Sequence, residues 1–271
     1  MKFLVAAVAV LALSSASAQL TDNCPSANLN QCTQQYLVTG LNYPLTDNSL
    51  IWTDYNTFIN FTDNLWTANE TNPDGLVQIC NALEQLQGCL YQYNCLSPLA
   101  FLIRGATAEQ AHVFSGLIRE YRFRCGAGLY TILRENFPCV QRTVKHYSSV
   151  INACLQTYIT NIEHDSQRAC DYVNQFSMCN GNIFNRTECG FAGSTDHWWA
   201  CESAYQLTQP NFPGCHESCS RGQNRPPQFE EYLKTHYKVE NNKEWFKLPD
   251  VFKQNAAGEW VLSENDWVTA D

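Results

Sequence analysis

Residues 166–184 read SQRACDYVNQFSMCNGNIF and place Cys170 and Cys179 nine positions apart. The apolar residues of this stretch recur at helical intervals, which predicts an α-helix. Nine residues turn a helix by about 900°, so the two sulfur atoms point to opposite faces. They cannot bond to each other, because the Cα atoms of a disulfide lie within about 7 Å. The spacing therefore predicts a helix that is cross-linked to a different neighbour on each side.

Two further pairs of cysteines support the same interpretation. Cys80 and Cys89 repeat the nine-residue step within GLVQICNALEQLQGCLYQY, residues 75–93, which carries an apolar stripe at helical spacing. Cys139 and Cys154 are fifteen residues apart, which is about 22 Å along a helix. We expect each of these cysteines to bond to a different segment. The pattern predicts a scaffold of helices tied to one another.

The number of cysteines indicates an oxidising compartment. The chain contains fourteen, and nine of them fall from Cys125 to Cys219. An even count in an exported chain predicts up to seven disulfides and no free thiol. The spacing leaves their connectivity open. The predicted disulfide cysteines are Cys24, Cys32, Cys80, Cys89, Cys95, Cys125, Cys139, Cys154, Cys170, Cys179, Cys189, Cys201, Cys215 and Cys219.

The first 18 residues have the order of a secretory signal. Met1-Lys2 precedes an apolar run over residues 3–13, and Ala16-Ser17-Ala18 supplies a cleavage site. The run is shorter than the roughly 20 residues that span a membrane. We expect a secreted mature chain that begins at Gln19. Its formal charge changes from −9 to −10 when Lys2 is removed, and without a basic cluster the chain is a poor partner for nucleic acid or an anionic membrane.

Three N-x-S/T sequons, at Asn60, Asn69 and Asn185, predict N-glycosylation of an exported protein. From Asp47 onward, apolar residues gather on one side of a helical wheel. Asn60 projects to the opposite side of that wheel, because each residue advances by about 100°. A glycan on Asn60 would therefore face solvent.

The chain as a whole is typical of an all-α protein: a disulfide-rich helical bundle over residues 19–220, with an irregular N-terminal lead-in up to residue 46. The residues from Thr107 to Gln110 match a capping box, which predicts a helix start. Gly126 and Gly128 interrupt the stripe of that helix and indicate a kink or a close helix crossing.

Residues 221–271 form a cysteine-free tail that is richer in charge than the preceding chain. The tail is too aromatic for a typical disordered segment, so we expect part of it to pack on the body, with docking of a partner as the alternative. Residues 259–268 are the exception that we expect to form a strand in an otherwise helical chain. The aromatic residues are Phe229, Tyr232, Tyr237, Trp245, Phe246, Phe252, Trp260 and Trp267.

Three motifs in the second half of the chain resemble a known family. ACDYVNQFSMC at 169–179, ECG at 188–190 and HWWAC at 197–201 resemble secreted cysteine-rich helical domains that are abundant in nematodes and are grouped as domains of unknown function. The chondroitin-proteoglycan type 4 domain is similar. The resemblance covers about Cys80 to Cys219 and rests on cysteine spacing. It implies an extracellular helical domain and carries over no catalytic residue.

Two arrangements of residues invite a chemical interpretation. Cys215 and Cys219 flank His216 and Glu217, with His197 nearby, but three residues separate the cysteines where zinc clips usually have two. We therefore expect disulfides there, and neither a metal nor a cofactor.

His164-Asp165, followed by Cys170, invites comparison with secreted phospholipase A2. The spacing to the cysteines departs from the pattern of that family, and no glycine-rich calcium loop is recognisable. The alternative is a helix junction at which Asp165 or Ser166 caps the next helix.

Aromatic residues offer two further alternatives. Trp198 and Trp199, beside His197, would form either a binding surface or part of the core, and burial is the more common outcome. A wider set would line an apolar cavity or fill it, and filling is expected because protein interiors pack densely. That set is Trp52, Trp66, Phe114, Tyr147, Trp198 and Trp199.

These patterns favour a secreted, non-enzymatic glycoprotein that binds an extracellular protein, a glycan or a small apolar ligand. One alternative is a lipid-directed hydrolase that uses His164 and Asp165. Another is a structural protein of the extracellular matrix, the egg or the cuticle. Attachment of a glycosaminoglycan is disfavoured, because the Ser115-Gly116 pair lies within a predicted helix.

Overall fold

The computed structural model describes residues 23–45, 50–70, 72–135, 137–185, 193–215, 219, 237–240, 243–254 and 260–269. The α-helices of these residues are α1 (Ser26–Thr33), α2 (Tyr55–Thr67), α3 (Asp74–Leu90), α4 (Pro98–Ile103), α5 (Ala108–Cys125), α6 (Ala127–Glu135), α7 (Phe137–His164), α8 (Ala169–Asn185) and α9 (Gly193–Thr208). Short 3₁₀ segments occupy Ile51–Thr53 and Ser166–Arg168. The predicted all-α, disulfide-rich class is therefore confirmed for the body. No helix in the described ranges is both long and apolar enough to cross a membrane.

The N-terminal lead-in differs from the sequence prediction. We expected residues 19–46 to be irregular, but α1 is followed directly by a π-helix, Gln34–Thr39. Few apolar residues are available there to give a visible stripe. Leu29 and Leu37 are nevertheless completely buried, and disulfides from Cys24 and Cys32 hold the segment against the body. Tertiary contacts thus stabilise a helix that weak periodicity did not reveal.

The helix boundaries of the central region follow the local sequence signals. The Thr107 hydroxyl accepts from the Gln110 backbone, and the Gln110 side chain accepts from the Thr107 backbone, so the capping box is confirmed. Gly126 ends α5. A Cβ atom at Gly128 would lie 2.9 Å from Nε1 of Trp199, so this position is a close helix contact. Both predicted effects of the two glycines are confirmed.

Six disulfides of the described residues tie the helices together. They are Cys24–Cys95, Cys32–Cys89, Cys80–Cys125, Cys154–Cys179, Cys170–Cys215 and Cys201–Cys219. Cys139 is also disulfide-bonded, and Cys189 lies outside the described residues. The two cysteines of α3 bond to different segments, as do the two of α8. The prediction of helices cross-linked on two faces is confirmed.

Aromatic side chains fill the core between α2, α4 and α5. We call the four most central ones the aromatic cluster: Trp52, Phe58, Phe101 and Phe114, each at most 1% exposed. Ring centroids lie 5.5 Å apart for Trp52–Phe101 and 5.3 Å apart for Phe101–Phe114. These are favourable aromatic separations, and each ring contributes about 1.5–3 kcal/mol through burial. The cluster thus packs the Ile51–Thr53 segment, α2, α4 and α5 against one another.

The tail contains a small antiparallel sheet with strand order β1-β2-β3. Its strands are β1 (Tyr237–Glu240), β2 (Lys243–Gln254) and β3 (Trp260–Thr269). The register between β2 and β3 shifts around Pro249, which lacks the N–H that a regular ladder needs. β3 confirms the strand predicted at 259–268. β2 lies beside α3, while the aromatic residues Phe229 and Tyr232 lie outside the described residues.

Candidate functional site

A group of charged side chains lies inside the body where five helices meet. Asp63 comes from α2, and Glu120 and Arg124 come from α5; together we call them the charged cluster. Asp63 is partly exposed, whereas Glu120 is 6% exposed. Side chains of α7, α8 and α9 complete the surroundings. Buried charges are costly unless they are paired, so the contacts of each member decide what the cluster can do.

Arg124 is the best-paired member of the charged cluster. Its Nη2 donates to Oε1 of Glu120 at 2.5 Å, and its Nε lies 3.4 Å from the Ser203 hydroxyl. The guanidinium also lies 5.2 Å from the ring centroids of both Tyr121 and Trp199. Two aromatic faces and a carboxylate stabilise the cation. Arg124 is therefore committed to Glu120.

Asp63 is less well paired than Glu120. Its Oδ1 accepts a long hydrogen bond of 3.4 Å from Nε1 of Trp66. No ion pair of Asp63 with a lysine or arginine occurs within the part of the chain that the structure describes. The pKa of Asp63 is raised by burial, although the charge of Arg124 opposes the shift. Asp63 is thus a carboxylate that lacks a cation in direct contact.

The charge of the cluster does not balance. When both carboxylates are ionised, Arg124 neutralises only one of them. Burial raises the pKa of Glu120 to about 7; Arg124 opposes this shift, and the neighbouring charge of Asp63 adds to it. Two carboxylates near one cation share the proton that one of them keeps. The charged cluster is therefore one positive charge short, and near neutral pH a proton supplies it.

The cluster forms one wall of a cleft that reaches solvent. The cleft has a volume of about 40 Å³, which is room for about three water-sized groups. Its other polar residues are Thr62, Tyr121, Asn152 and Asn180, and its apolar residues are Ile59, Leu117, Ile151, Leu155, Phe176 and Leu207. We call it the charged cleft. A charged wall that faces apolar walls suits a small ligand that carries charge at one end.

Among the described residues, no group has good hydrogen-bond geometry to the hydroxyl of Tyr121, although the residue is only 2% exposed. Thr62 and Arg124 lie near enough to this hydroxyl to interact with it, in a geometry poorer than that of a regular hydrogen bond. The Thr62 hydroxyl donates instead to the Phe58 carbonyl at 2.9 Å, and Arg124 donates to Glu120. Burial raises the pKa of Tyr121, so the phenol stays protonated. An unpaired buried hydroxyl that lines a cleft is the position where a ligand or an ordered water binds.

Sequence reasoning did not identify this site. Glu120 and Arg124 have the i,i+4 spacing of a helical ion pair, but that spacing is also usual on exposed helix faces. Asp63 lies in a different helix between the sequons at Asn60 and Asn69. The only available signal was that Glu120 and Tyr121 adjoin the apolar stripe of α5. Their meeting with Asp63 is a tertiary feature.

The hydrolase candidates occupy a helix junction. His164 is exposed at the end of α7. The Asp165 side chain accepts from the Gln167 backbone at 3.1 Å and caps the 3₁₀ segment that leads into α8. The capping alternative is confirmed for Asp165.

The zinc alternative is wrong for its cysteines. Cys215 is bonded to Cys170, and Cys219 is bonded to Cys201. A disulfide sulfur has no thiolate with which to bind a metal. His216 and Glu217 lie outside the described residues. Within the described ranges, no group of three or more histidine, cysteine, aspartate or glutamate side chains is placed to hold a metal ion.

The alternatives for the aromatic residues are resolved in favour of the core. Trp198 and Trp199 are 4% and 1% exposed, so they do not form a surface. Trp66 packs 6.1 Å from Trp199 between ring centroids. Tyr147 is the exception, because it is 41% exposed at a kink in α7.

Asn60 and Asn69 are both exposed, so the predicted orientation of Asn60 is confirmed, while glycosylation stays a prediction. The side chain of Asn185 lies outside the description. Ser115 is buried and donates to the Leu96 carbonyl at 2.8 Å, a position that is closed to a glycosaminoglycan.

Comparison of the chain with protein-family models, curated proteins and solved structures gave no match. The resemblance to secreted cysteine-rich helical domains of nematodes therefore stays a prediction, and the charged cleft is the feature from which a function has to be argued.

Proposed function

We propose that this chain is a secreted, non-enzymatic binding protein that recognises an extracellular ligand at the charged cleft. The observation that carries the proposal is the unbalanced cluster of Asp63, Glu120 and Arg124 beside the unpaired Tyr121 hydroxyl. Buried ion pairs rarely increase stability over well-packed apolar residues. Polar groups retained at such a cost are more readily explained by recognition than by folding.

The disulfides support binding by a preformed site. Cys80–Cys125 joins α3 to α5, and Cys154–Cys179 joins α7 to α8. α5, α7 and α8 each contribute residues to the cleft. The Cys154–Cys179 bridge restricts how far the α7 and α8 walls can move apart, and Cys80–Cys125 fixes the C-terminal end of α5 to α3 behind the cleft. A site that is held in its binding geometry loses less entropy when the ligand binds.

A polar ligand fits the cleft better than an apolar one. Pockets that enclose drug-sized ligands have volumes of about 300–1,000 Å³. The charged cleft has a volume of about 40 Å³, and a second cleft, between α3 and α5, has about 20 Å³. The aromatic residues that would have lined a lipid cavity are mostly buried against one another. The partner of this protein is therefore proposed to be recognised through a small charged group.

The hydrolase alternative lacks supporting geometry at His164. Catalysis by a histidine base needs a second group that orients the imidazole, and the neighbouring Asp165 carboxylate is engaged in capping. Esterase and phospholipase assays of the wild type, His164→Ala and the exposed control His146→Ala test this alternative. We expect no turnover by any of the three. Turnover that His164→Ala abolishes and His146→Ala retains would overturn the proposal.

The apolar-ligand alternative has its own test. Native mass spectrometry of the purified protein, together with titration of fluorescent fatty acids, measures bound lipid directly. We expect neither co-purified lipid nor saturable uptake. Saturable uptake at one site would contradict recognition through a charged group and would favour a lipid-binding protein.

A further inference from the structure

We propose that the charged cleft binds a primary alkylammonium group, either from a small free amine or from a lysine side chain on a partner protein. This inference rests on the proposed binding function and specifies its ligand. Three independent features of the cleft lead to it: its charge, its hydrogen-bond acceptors and its shape.

The charge of the cleft calls for one cation. Asp63 and Glu120 carry two negative charges when ionised, and Arg124 carries one positive charge. Among the described residues that line the cleft, no other side chain is charged. Arg124 is held by Glu120 and by two aromatic rings, so it cannot serve Asp63 equally. A ligand with a single positive charge would neutralise the site without unpairing Arg124.

The polar groups around Asp63 are suited to an N–H donor. An ammonium group has three donors and no acceptor. The Asp63 carboxylate has unused acceptor capacity, since one hydrogen bond of 3.4 Å is its contact in the structure. The unpaired Tyr121 hydroxyl can accept as well as donate. Asn180 also lines the cleft; its Nδ2 donates to the Phe176 carbonyl, and its amide oxygen is of the acceptor type.

The size and walls of the cleft favour an alkyl stem behind the ammonium group. The volume of about 40 Å³ holds about three non-hydrogen atoms, such as those of ethylammonium, at one water-sized group for each. Ile59, Ile151 and Leu155 supply apolar surface along the cleft. A guanidinium would place a second delocalised cation beside Arg124. A metal ion would leave the apolar walls without a function.

The test measures binding of ethylammonium chloride by isothermal titration calorimetry at pH 8, above the value of about 7 to which burial raises the pKa of Glu120. So small a ligand is expected to bind with a Kd of about the millimolar range. Ethanol, a neutral molecule of the same shape, should not bind. Asp63→Asn should weaken binding by about tenfold or more, because a charge-assisted hydrogen bond is lost. Asp171→Asn is the matched control on an exposed carboxylate, 59% exposed, and should bind like the wild type.

A second variant protects the test against a folding defect in Asp63→Asn. Tyr121→Phe keeps the ring in the core and removes only the hydroxyl, so we expect a several-fold loss of affinity with an unchanged melting temperature. N-acetyl-lysine amide, titrated in parallel, distinguishes the two sources of the ammonium group. Tighter binding than ethylammonium indicates a lysine side chain on a partner, and weaker binding indicates a free amine.

Two results would overturn the inference. Absence of saturable ethylammonium binding would show that the charge deficit of the cleft does not create a site for an alkylammonium group. Equal binding of sodium ion would show that the alkyl stem is not recognised. Neither result bears on the assays of hydrolysis and lipid uptake, so the broader proposal of a binding protein would fail or survive on those assays separately.

Discussion

The aromatic cluster and the charged cluster share helices α2 and α5 and have opposite chemistry. Phe58 and Phe114 meet at 5.4 Å between ring centroids. A short distance further along α2 and α5, Asp63 and Glu120 line the charged cleft. The first region needs no explanation beyond hydrophobic burial. The second places two carboxylates and one arginine where apolar side chains would pack.

The contrast shows where stability and recognition have been separated in this fold. The aromatic rings and the disulfides provide the rigidity, since each element of the core is buried or cross-linked. The charged cluster contributes less to folding stability than apolar side chains would, and the Tyr121 hydroxyl beside it lacks a regular hydrogen bond. We infer that the aromatic cluster and the disulfides provide the stability that allows the fold to keep the charged cluster. The variants below test the contribution of each region.

Reduction of the disulfides should produce the largest effect, because it removes the frame around both clusters. Each native bridge of a small secreted domain contributes about 2–5 kcal/mol, and six are seen within the described ranges. We expect the reduced protein to lose its tertiary signal in near-ultraviolet circular dichroism at 25 °C. The alkylated, non-reduced protein is the control. A reduced chain that melts within a few degrees of the oxidised one would show that core packing alone suffices.

Replacing Arg124 alone should lower the free energy of unfolding far more than replacing all three residues of the charged cluster together. Arg124→Met leaves the buried Glu120 carboxylate and the partly exposed Asp63 carboxylate without a cation, which costs about 3–5 kcal/mol. The triple variant Asp63→Asn, Glu120→Leu, Arg124→Met replaces the cluster and should be as stable as the wild type or more so. Urea denaturation measures both. A triple variant as unstable as Arg124→Met would mean that the cluster is needed for folding.

Truncation of a ring in the aromatic cluster should lower the free energy of unfolding. Phe114→Ala removes a completely buried ring and should cost about 3–5 kcal/mol in the free energy of unfolding. Ile103→Ala is the control on an exposed apolar side chain, 54% exposed, and should stay within about 0.5 kcal/mol. Similar losses for the two variants would contradict the assignment of the ring to a packed core.

The charged cluster should also give stability a pH dependence that the aromatic cluster lacks. Burial raises the pKa of Glu120 from its ordinary 4.5 to about 7, so the native state keeps a proton that the unfolded chain releases. This contribution is complete below about pH 4.5 and is lost as pH rises to about 7, a change of about 3 kcal/mol. The raised pKa of Asp63 acts with the same sign.

The measurement is the difference in unfolding free energy between the wild type and Glu120→Gln from pH 4 to 8. His112, whose pKa is lowered by burial, acts with the opposite sign but is common to both proteins and cancels. The wild type should lose stability relative to the variant as pH rises. Parallel profiles would place the Glu120 carboxyl in an ordinary aqueous environment.

The sequence predicted the frame of the molecule because the relevant physics is local. Helical periodicity placed the two cysteines of α8 on opposite faces, and the capping box at Thr107 marked the start of α5. Asn60 faces solvent as its position on the helical wheel required. The lead-in was missed because Leu29 and Leu37 alone did not form a recognisable stripe, although both are buried.

The charged cleft could not be predicted in the same way. Glu120 and Arg124 show the spacing of an ordinary surface ion pair, and the packing of neighbouring helices against α5 buries them. The charge deficit appears once Asp63 is brought alongside from another helix. The candidates that the sequence did suggest, His164 and Asp165, have a structural position at a helix junction. The charged cleft was therefore identified from the spatial proximity of Asp63, Glu120 and Arg124.

The most direct test of the charge deficit is a titration of the side-chain carboxyl carbons by ¹³C NMR, with Asp63→Asn and Glu120→Gln used to assign the resonances. We expect one carboxyl of this pair to stay protonated until about pH 7. We also expect millimolar ethylammonium to move that transition to lower pH, because the bound cation replaces the proton. Both carboxyls titrating below about pH 5, with or without ethylammonium, would contradict these expectations.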